Sequence, residues 1–198
     1  MEKKESTALY VLRLAVTLLL ITGIMAALLA FINQLTKDRI AAIQAEKTQK
    51  AIELVLPGAA DAKALDTLPQ GTAATVRKVY TAAMGDLEGS DDSDSWYAVE
   101  VAPLGFDGEI TMMVGIDHSG KVLGVRVISH TETAGLGAVA AAENAKGEAF
   151  RGQFVGKDTA VAVGEDIDAL TGATITSKAV TQGVNDAVAA AQLLIAAE

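Results

Sequence analysis

The sequence predicts an α+β protein. One N-terminal transmembrane helix precedes a single domain with a mostly antiparallel sheet and flanking helices. Three observations predict it. Leu14 to Ile32 holds 19 residues without a charge, from the first leucine to the last isoleucine. Short alternating segments cluster between residues 75 and 129, with polar and glycine-rich breaks between them. The chain then ends on a long pattern with helical spacing.

Composition narrows the chemistry first. The chain has 198 residues, no cysteine and a formal net charge of −9. Without cysteine there is no disulfide, no cysteine-ligated zinc, no iron–sulfur cluster and no thiol nucleophile. The acidic balance argues against nucleic acid, which calls for clustered Lys and Arg. With aromatics at 4%, base-stacking platforms are also disfavoured.

The uncharged stretch would make a helix of roughly 28 Å, close to the hydrocarbon thickness of a bilayer. It exceeds the usual apolar region of a signal peptide, about 7–15 residues. Asn33-Gln34-Leu35-Thr36-Lys37 follows it with no small-residue cleavage site. It therefore reads as a retained anchor, with residues 1–37 as tail and span. Lys3, Lys4 and Arg13 precede the span, while Lys37, Arg39, Lys47 and Lys50 follow it, so charge asymmetry leaves the orientation open. Asp38 to Glu198 carries 23 acidic and 12 basic residues, a net of −11.

Asp38–Leu56 reads as a helix continuing from the span, because Ile40, Ile43, Ala51, Ile52 and Val55 recur at helical spacing and Pro57-Gly58 stop it. An alanine-rich connector runs to about Ala73, giving a membrane-proximal region of 38–73 and a globular domain of 74–198. Thr75–Thr81 alternates as a strand. Gly85–Ser95 carries five acidic residues and two glycines. A calcium loop is one reading, but the spacing lacks the calcium-loop pattern and its closing glutamate, which favours a solvated hairpin loop. Trp96–Val101 alternates as a strand. Glu109–Ile116 and Lys121–Ser129 flank Asp117-His118-Ser119-Gly120 as a hairpin. A glycine-rich loop covers His130–Gly137. Ala138–Phe150 reads as a helix and Thr159–Val163 as a short strand. The last helix starts at about Thr176, with Val180, Val184, Ala187, Val188, Ala191 and Leu194 on one face.

Candidate chemistry is sparse. His118 and His130 are too few and too isolated for a metal, and no Ser/His/Asp order or carboxylate pair stands out. Two segments remain. In Glu132-Thr133-Ala134-Gly135-Leu136-Gly137, two glycines flank a leucine. A strand-to-helix turn is one reading. The other is a loop lying against a flat ligand, with free amides beside an apolar side chain. In the stretch from Asp168 to Ser177, three threonines and a serine crowd a helix start. That is either a surplus of N-caps or an anion site fed by unpaired amides and the helix dipole.

Asp168-x-x-Thr171-Gly172-Ala173-Thr174 resembles the flavinylation motif of the FMN-binding domain family. The order of parts resembles that of the G subunits of Rnf electron-transport complexes. After the span come Gly105-Phe106-x-Gly108-x-Ile110, Val114-Gly115-x-Asp117, Gly120-x-Val122-x-Gly124, the Glu132–Gly137 loop and the threonine motif. The similarity covers about Ser95–Val180. Ala134 departs from it, since the family usually has proline there.

The resemblance implies FMN held covalently by a phosphoester to Thr174, attached by a separate flavin transferase. It matches Asp168, Thr171, Gly172 and Ala173 to the recognition sequence, Glu132, Thr133, Leu136 and Gly137 to the loop near the flavin, and Thr176 and Ser177 to hydroxyls beside the phosphate. It implies an electron carrier of an ion-translocating ferredoxin:NAD⁺ oxidoreductase, with membrane and iron–sulfur subunits and the lipid bilayer as partners. The domain would lie outside the cytoplasmic membrane, with no catalytic residue for bond-breaking chemistry and no metal. The C subunits of sodium-pumping NADH:quinone reductases share anchor and motif but are usually longer. A non-redox membrane-tethered adaptor is the reading from another class.

Overall fold

The computed structural model describes residues 7–59, 62–83 and 95–197. The chain divides into two compact units, Met1–Glu46 and Lys47–Glu198. The first is helical. Helix α1, Thr7–Val55, contains the uncharged stretch, whose side chains are exposed throughout. By length and composition it is apolar enough to cross a membrane. Within it, Thr17 and Thr22 turn their hydroxyls onto the Arg13 and Leu18 carbonyls at 2.7 and 2.9 Å, so these polar groups are satisfied by the helix itself.

The second unit is α+β. Its sheet holds β1 (Lys63–Ala64), β2 (Val76–Ala83), β3 (Ser95–Val101), β4 (Thr111–Ile116) and β5 (Val122–Ser129). The strands lie in sequence order and every pair is antiparallel. Each strand pairs with the next in sequence, so the meander needs no crossover connection. Between β4 and β5, Asp117 O accepts from Gly120 N at 3.0 Å, and Gly120 takes φ +87°. The Asp117 carboxylate closes the turn by accepting from Ser119 N and Lys121 N. The acidic run at 85–94, read as a calcium loop or a solvated loop, lies outside the described residues.

Both sheet faces are covered, so β4 is almost wholly buried and β3 is buried or half-buried along its length. On one face Tyr97, Val99, Val101, Met112, Val114 and Ile116 meet α3, Thr174–Ile195, through Val180, Val184, Ala187, Val188 and Ala191. On the other, Ala82, Ala98 and Met113 meet Ile52, Val55 and Leu56 at the end of α1. Gly58, at φ +94°, follows Pro57 and ends the helix as expected.

Three expectations need correction. Ala138–Phe150 is not one helix. A 3₁₀ turn at Gly137–Ala141 breaks at an extended Ala142, and α2 then spans Ala145–Gly152. The cause is Asn144, whose Oδ1 accepts from Lys146 N and Gly147 N at 3.1 and 3.0 Å and so starts a new helix. The buried Arg151 guanidinium spans the break, donating to Ala140 O and Ala142 O at 2.6 and 3.1 Å. Thr159–Val163 is not a strand. Asn185 of α3 satisfies both backbone groups of Val161, at 3.0 and 2.9 Å, where a neighbouring strand would otherwise do so. Helix α3 begins at Thr174, two residues early, and Ala173 at its N-cap offers no side-chain acceptor.

Candidate flavin site

Three segments meet at the start of α3. The loop after β3 brings Phe106, the loop after β5 brings Glu132, Thr133, Leu136 and Gly137, and α3 brings Thr174, Ile175 and Thr176. With Gly172 and Ala173 they line a cavity of about 330 Å³. Phe106, Leu136 and Ile175 remain largely exposed in it, giving apolar walls to a space within the usual range for small-molecule sites.

Thr174 is exposed, and its hydroxyl enters no hydrogen bond among the described residues. Among the described residues no side chain caps the first turn of α3, so its amides stay available and the positive end of the helix is open. The other hydroxyls have work inside the protein. Ser177, fully buried, accepts from Leu170 N and donates to Ala173 O, both at 2.9 Å. It braces the Leu170–Ala173 turn from beneath and is absent from the cavity lining. Thr176 is 2% exposed and donates to the Glu132 carboxylate. The crowding of hydroxyls at this helix start is therefore not a surplus of caps, since none of them caps.

Glu132 is 7% exposed. One of its oxygens accepts from Phe106 N at 2.8 Å and Asp107 N at 3.1 Å, and the other from Thr176. Burial pushes its carboxyl up. The bond from Thr176, the two backbone bonds and the neighbouring His130 together outweigh burial, so the group is held below its ordinary value. Nδ1 of His130 is itself buried and has no hydrogen-bond partner among the described residues.

Asp168 and Thr171 lie on the far side of Leu136. With Gly135, Lys146 and Gln153 among their neighbours they line a second cleft of about 550 Å³. The Asp168 side chain is exposed, while its backbone is clamped by the Gln153 amide, which accepts from Asp168 N at 2.7 Å and donates to Asp168 O at 3.3 Å. Gly172 turns the chain between the two clefts at φ +75°, and a Cβ there would stand 3.1 Å from Leu136 Cδ2.

All the residues singled out in sequence thus gather around α3, but on two sides of Leu136. Phe106 and Gln153 are additions from the structure. Gly105-Phe106 belongs to the family pattern, but nothing local ties it to a site. Among the described residues no group of three or more acidic or histidine side chains is arranged for a metal.

Residues 105–189 match the model of the FMN-binding domain, and residues 9–55 match that of the RnfG N-terminal region. The G subunit of the Na⁺-translocating ferredoxin:NAD⁺ oxidoreductase complex of Acetobacterium woodii is 31% identical over 198 residues, covering 93% of this chain and 95% of that one. The G subunit of the ion-translocating oxidoreductase complex of Methanosarcina acetivorans is 32% identical, covering 89% and 92%. The G subunit of the proton-translocating ferredoxin:NAD⁺ oxidoreductase complex of Clostridium ljungdahlii is 46% identical over 99 residues, 46% of this chain and 51% of that one. The solved C subunit of the Na⁺-translocating NADH-quinone reductase from Parabacteroides distasonis has a TM-score of 0.46 at 20% identity, over 61% of this chain and 63% of that one. That likeness is too slight to bear on the assignment. With near full-length matches to the G subunits, the chain belongs to the RnfG family, the G subunits of ion-translocating oxidoreductase complexes.

Proposed function

We propose that the chain is the membrane-anchored electron relay of an ion-translocating ferredoxin:NAD⁺ oxidoreductase, with FMN joined to Thr174 by a phosphoester. The observation that carries this reading is the exposed, unbonded hydroxyl of Thr174 at an uncapped helix start, opening onto an apolar-walled cavity. The relatives' names, which include ferredoxin:NAD⁺ oxidoreductase subunits, support the assignment to such a complex.

Bound FMN would supply the group that accepts and passes on electrons. The chain's own residues do the rest. Thr174 tethers, and its hydroxyl is too weak a nucleophile at neutral pH to act without a separate flavin transferase. The new Oγ1–P bond replaces the Thr174 O–H bond and one P–O bond of the flavin nucleotide that the transferase brings, whose departing oxygen takes the proton, so the residue gains one FMN less one water. The amides and dipole of the first turn of α3 carry the phosphate charge. Phe106, Leu136 and Ile175 shield the ring from water. Asp168 and Thr171, with their exposed side chains, are read by the transferase. Residues 1–37 anchor the chain in the cytoplasmic membrane, 38–73 connect and lend the end of α1 and β1 to the sheet, and 74–198 form the flavin domain on the outer side. There it meets the other membrane and iron–sulfur subunits.

The test is chemical. Denatured protein from a host with a flavin transferase should fluoresce in a gel under ultraviolet light. The Thr174 peptide should be heavier by one FMN less water, and Thr174→Ala should abolish both. A label on Thr176 or Ser177 would refute the assignment.

A further inference from the structure

We infer that Glu132 is a positioning residue: its carboxylate locks the Thr174-bearing first turn of α3 to the Phe106 loop, and so fixes where the tethered ring stands and how readily it is reduced. This rests on the reading that FMN occupies the cavity.

A carboxylate only accepts hydrogen bonds, and here three donors from two distant segments converge on one. Phe106 N and Asp107 N lie 26 and 25 residues before it, and Thr176 lies 44 residues after it. Thr131 Oγ1 also donates to Asp107 O, at 2.5 Å, and holds the two loops together. The step from those loops to α3 has one hydrogen bond among the described residues, the bond from Thr176 to Glu132. Each joined segment supplies a wall of the cavity.

The backbone is shaped to the carboxylate. A Cβ on Gly105 would overlap one of its oxygens. A Cβ on Gly137 would overlap the other and stand 2.5 Å from Thr176 Oγ1. Gly105 also makes room for Ile110, whose Cδ1 would stand 2.7 Å from a Cβ there, whereas every atom crowding Gly137 belongs to the Glu132–Thr176 pair. Charge-assisted bonds are also roughly twice as strong as neutral ones, which suits a fixed joint. The same charge bears on the ring. Adding an electron beside a fixed anion, shielded from water, is disfavoured by Coulomb's law. Glu132 therefore holds the potential of the flavin down.

The experiment uses the full chain, flavinylated in a host with the transferase and purified in detergent. Wild type is compared with Glu132→Gln, Glu132→Ala, Gly137→Ala and Thr176→Val. Covalent label is read by in-gel fluorescence, ring geometry by visible circular dichroism, and the midpoint potential by redox titration. All variants should carry label. Glu132→Gln, which keeps the shape and loses the charge, should shift the potential positive. Glu132→Ala and Gly137→Ala should bring the circular dichroism towards that of free FMN. Thr176→Val, which removes one bond and leaves the charge, should weaken the circular dichroism with a smaller shift in potential; it serves as the test if Glu132→Ala does not fold. Labelled variants with wild-type circular dichroism and potential would overturn the inference, even if their thermal stability fell. No label on wild type would sink the reading of Thr174, and this inference with it.

Discussion

Gly115 on β4 stands opposite Gly124 on β5, and the Val55 backbone at the end of α1 lies over the notch they leave. A Cβ on Gly115 would overlap Val55 O, whereas one on Gly124 would stand 3.7 Å from Val55 Cα. The two glycines are therefore unequal. Glycine is needed at Gly115 for close approach, because the obstructing atom is backbone and cannot rotate away.

Gly115→Ala should destabilise the Lys47–Glu198 unit by about 1–3 kcal/mol, the usual range for overpacking. Gly124→Ala should cost less than about 1 kcal/mol, since 3.7 Å is ordinary contact. Denaturant unfolding of the detergent-solubilised chain measures both. Equal losses would mean that α1 does not press on β4 at this point.

That notch is invisible in the sequence, where Gly115 and Gly124 are only members of a spacing pattern. What is legible there is what periodicity and local turns encode. The strand at Trp96–Val101, the Gly120 turn and the apolar face of α3 all fall where their spacing puts them, although β3 is covered on both faces and its burial does not alternate. What is not legible depends on distant partners. β1 has two residues and exists only by pairing with Tyr80 and Thr81. Val161 looks like a strand residue because Asn185, 24 positions on, cannot be seen in the sequence to take its backbone bonds. Asn144 is the exception, a local N-cap signal that lies in plain view inside an apparently continuous helix.

The site divides in the same way. The Glu132–Gly137 and Asp168–Ser177 segments are legible because each is contiguous. That they meet is supplied by the resemblance alone. The side chains then part company. Thr174 is free, Thr176 is bound to Glu132, and Ser177 supports Leu170. No spacing rule separates three hydroxyls within four residues of one helix start.

Glu132 should also leave a mark on acid stability. Burial pushes its carboxyl up, but the bonds from Thr176, Asp107 N and Phe106 N, with His130 nearby, hold it below 4.5, its ordinary value. A carboxyl whose folded pKa is depressed stabilises the fold above its unfolded pKa, and that contribution is lost as pH falls through the folded value. Wild type should therefore exceed Glu132→Gln in stability at pH 7, and the gap should narrow once pH drops below about 4.5. Denaturant midpoints from pH 7 to pH 3 give the comparison. A gap that stays constant across this range would mean that the bonds do not depend on the charge.

Leu136 separates ring docking from covalent attachment. It is 44% exposed and borders both clefts, the one with Thr174 and the one with Asp168 and Thr171. Its apolar face is worth about 1–2 kcal/mol if a ring covers it. Its side chain also stands against the Gly172 turn, where a Cβ would come within 3.1 Å of Cδ2. None of its atoms is needed to present the Thr174 hydroxyl, which is already exposed at the start of α3. Leu136→Asp should thus leave the amount of covalent flavin near normal. It should also place a carboxylate against the ring's apolar seat, shift the visible absorbance towards that of free FMN, and slow electron transfer through the assembled complex. The measurements are gel fluorescence for attachment, the visible spectrum for docking, and turnover for transfer. Loss of label in this variant would mean that the transferase reads Leu136 as part of its recognition surface. An unchanged spectrum with unchanged turnover would reduce the Glu132–Gly137 loop to a turn between strand and helix.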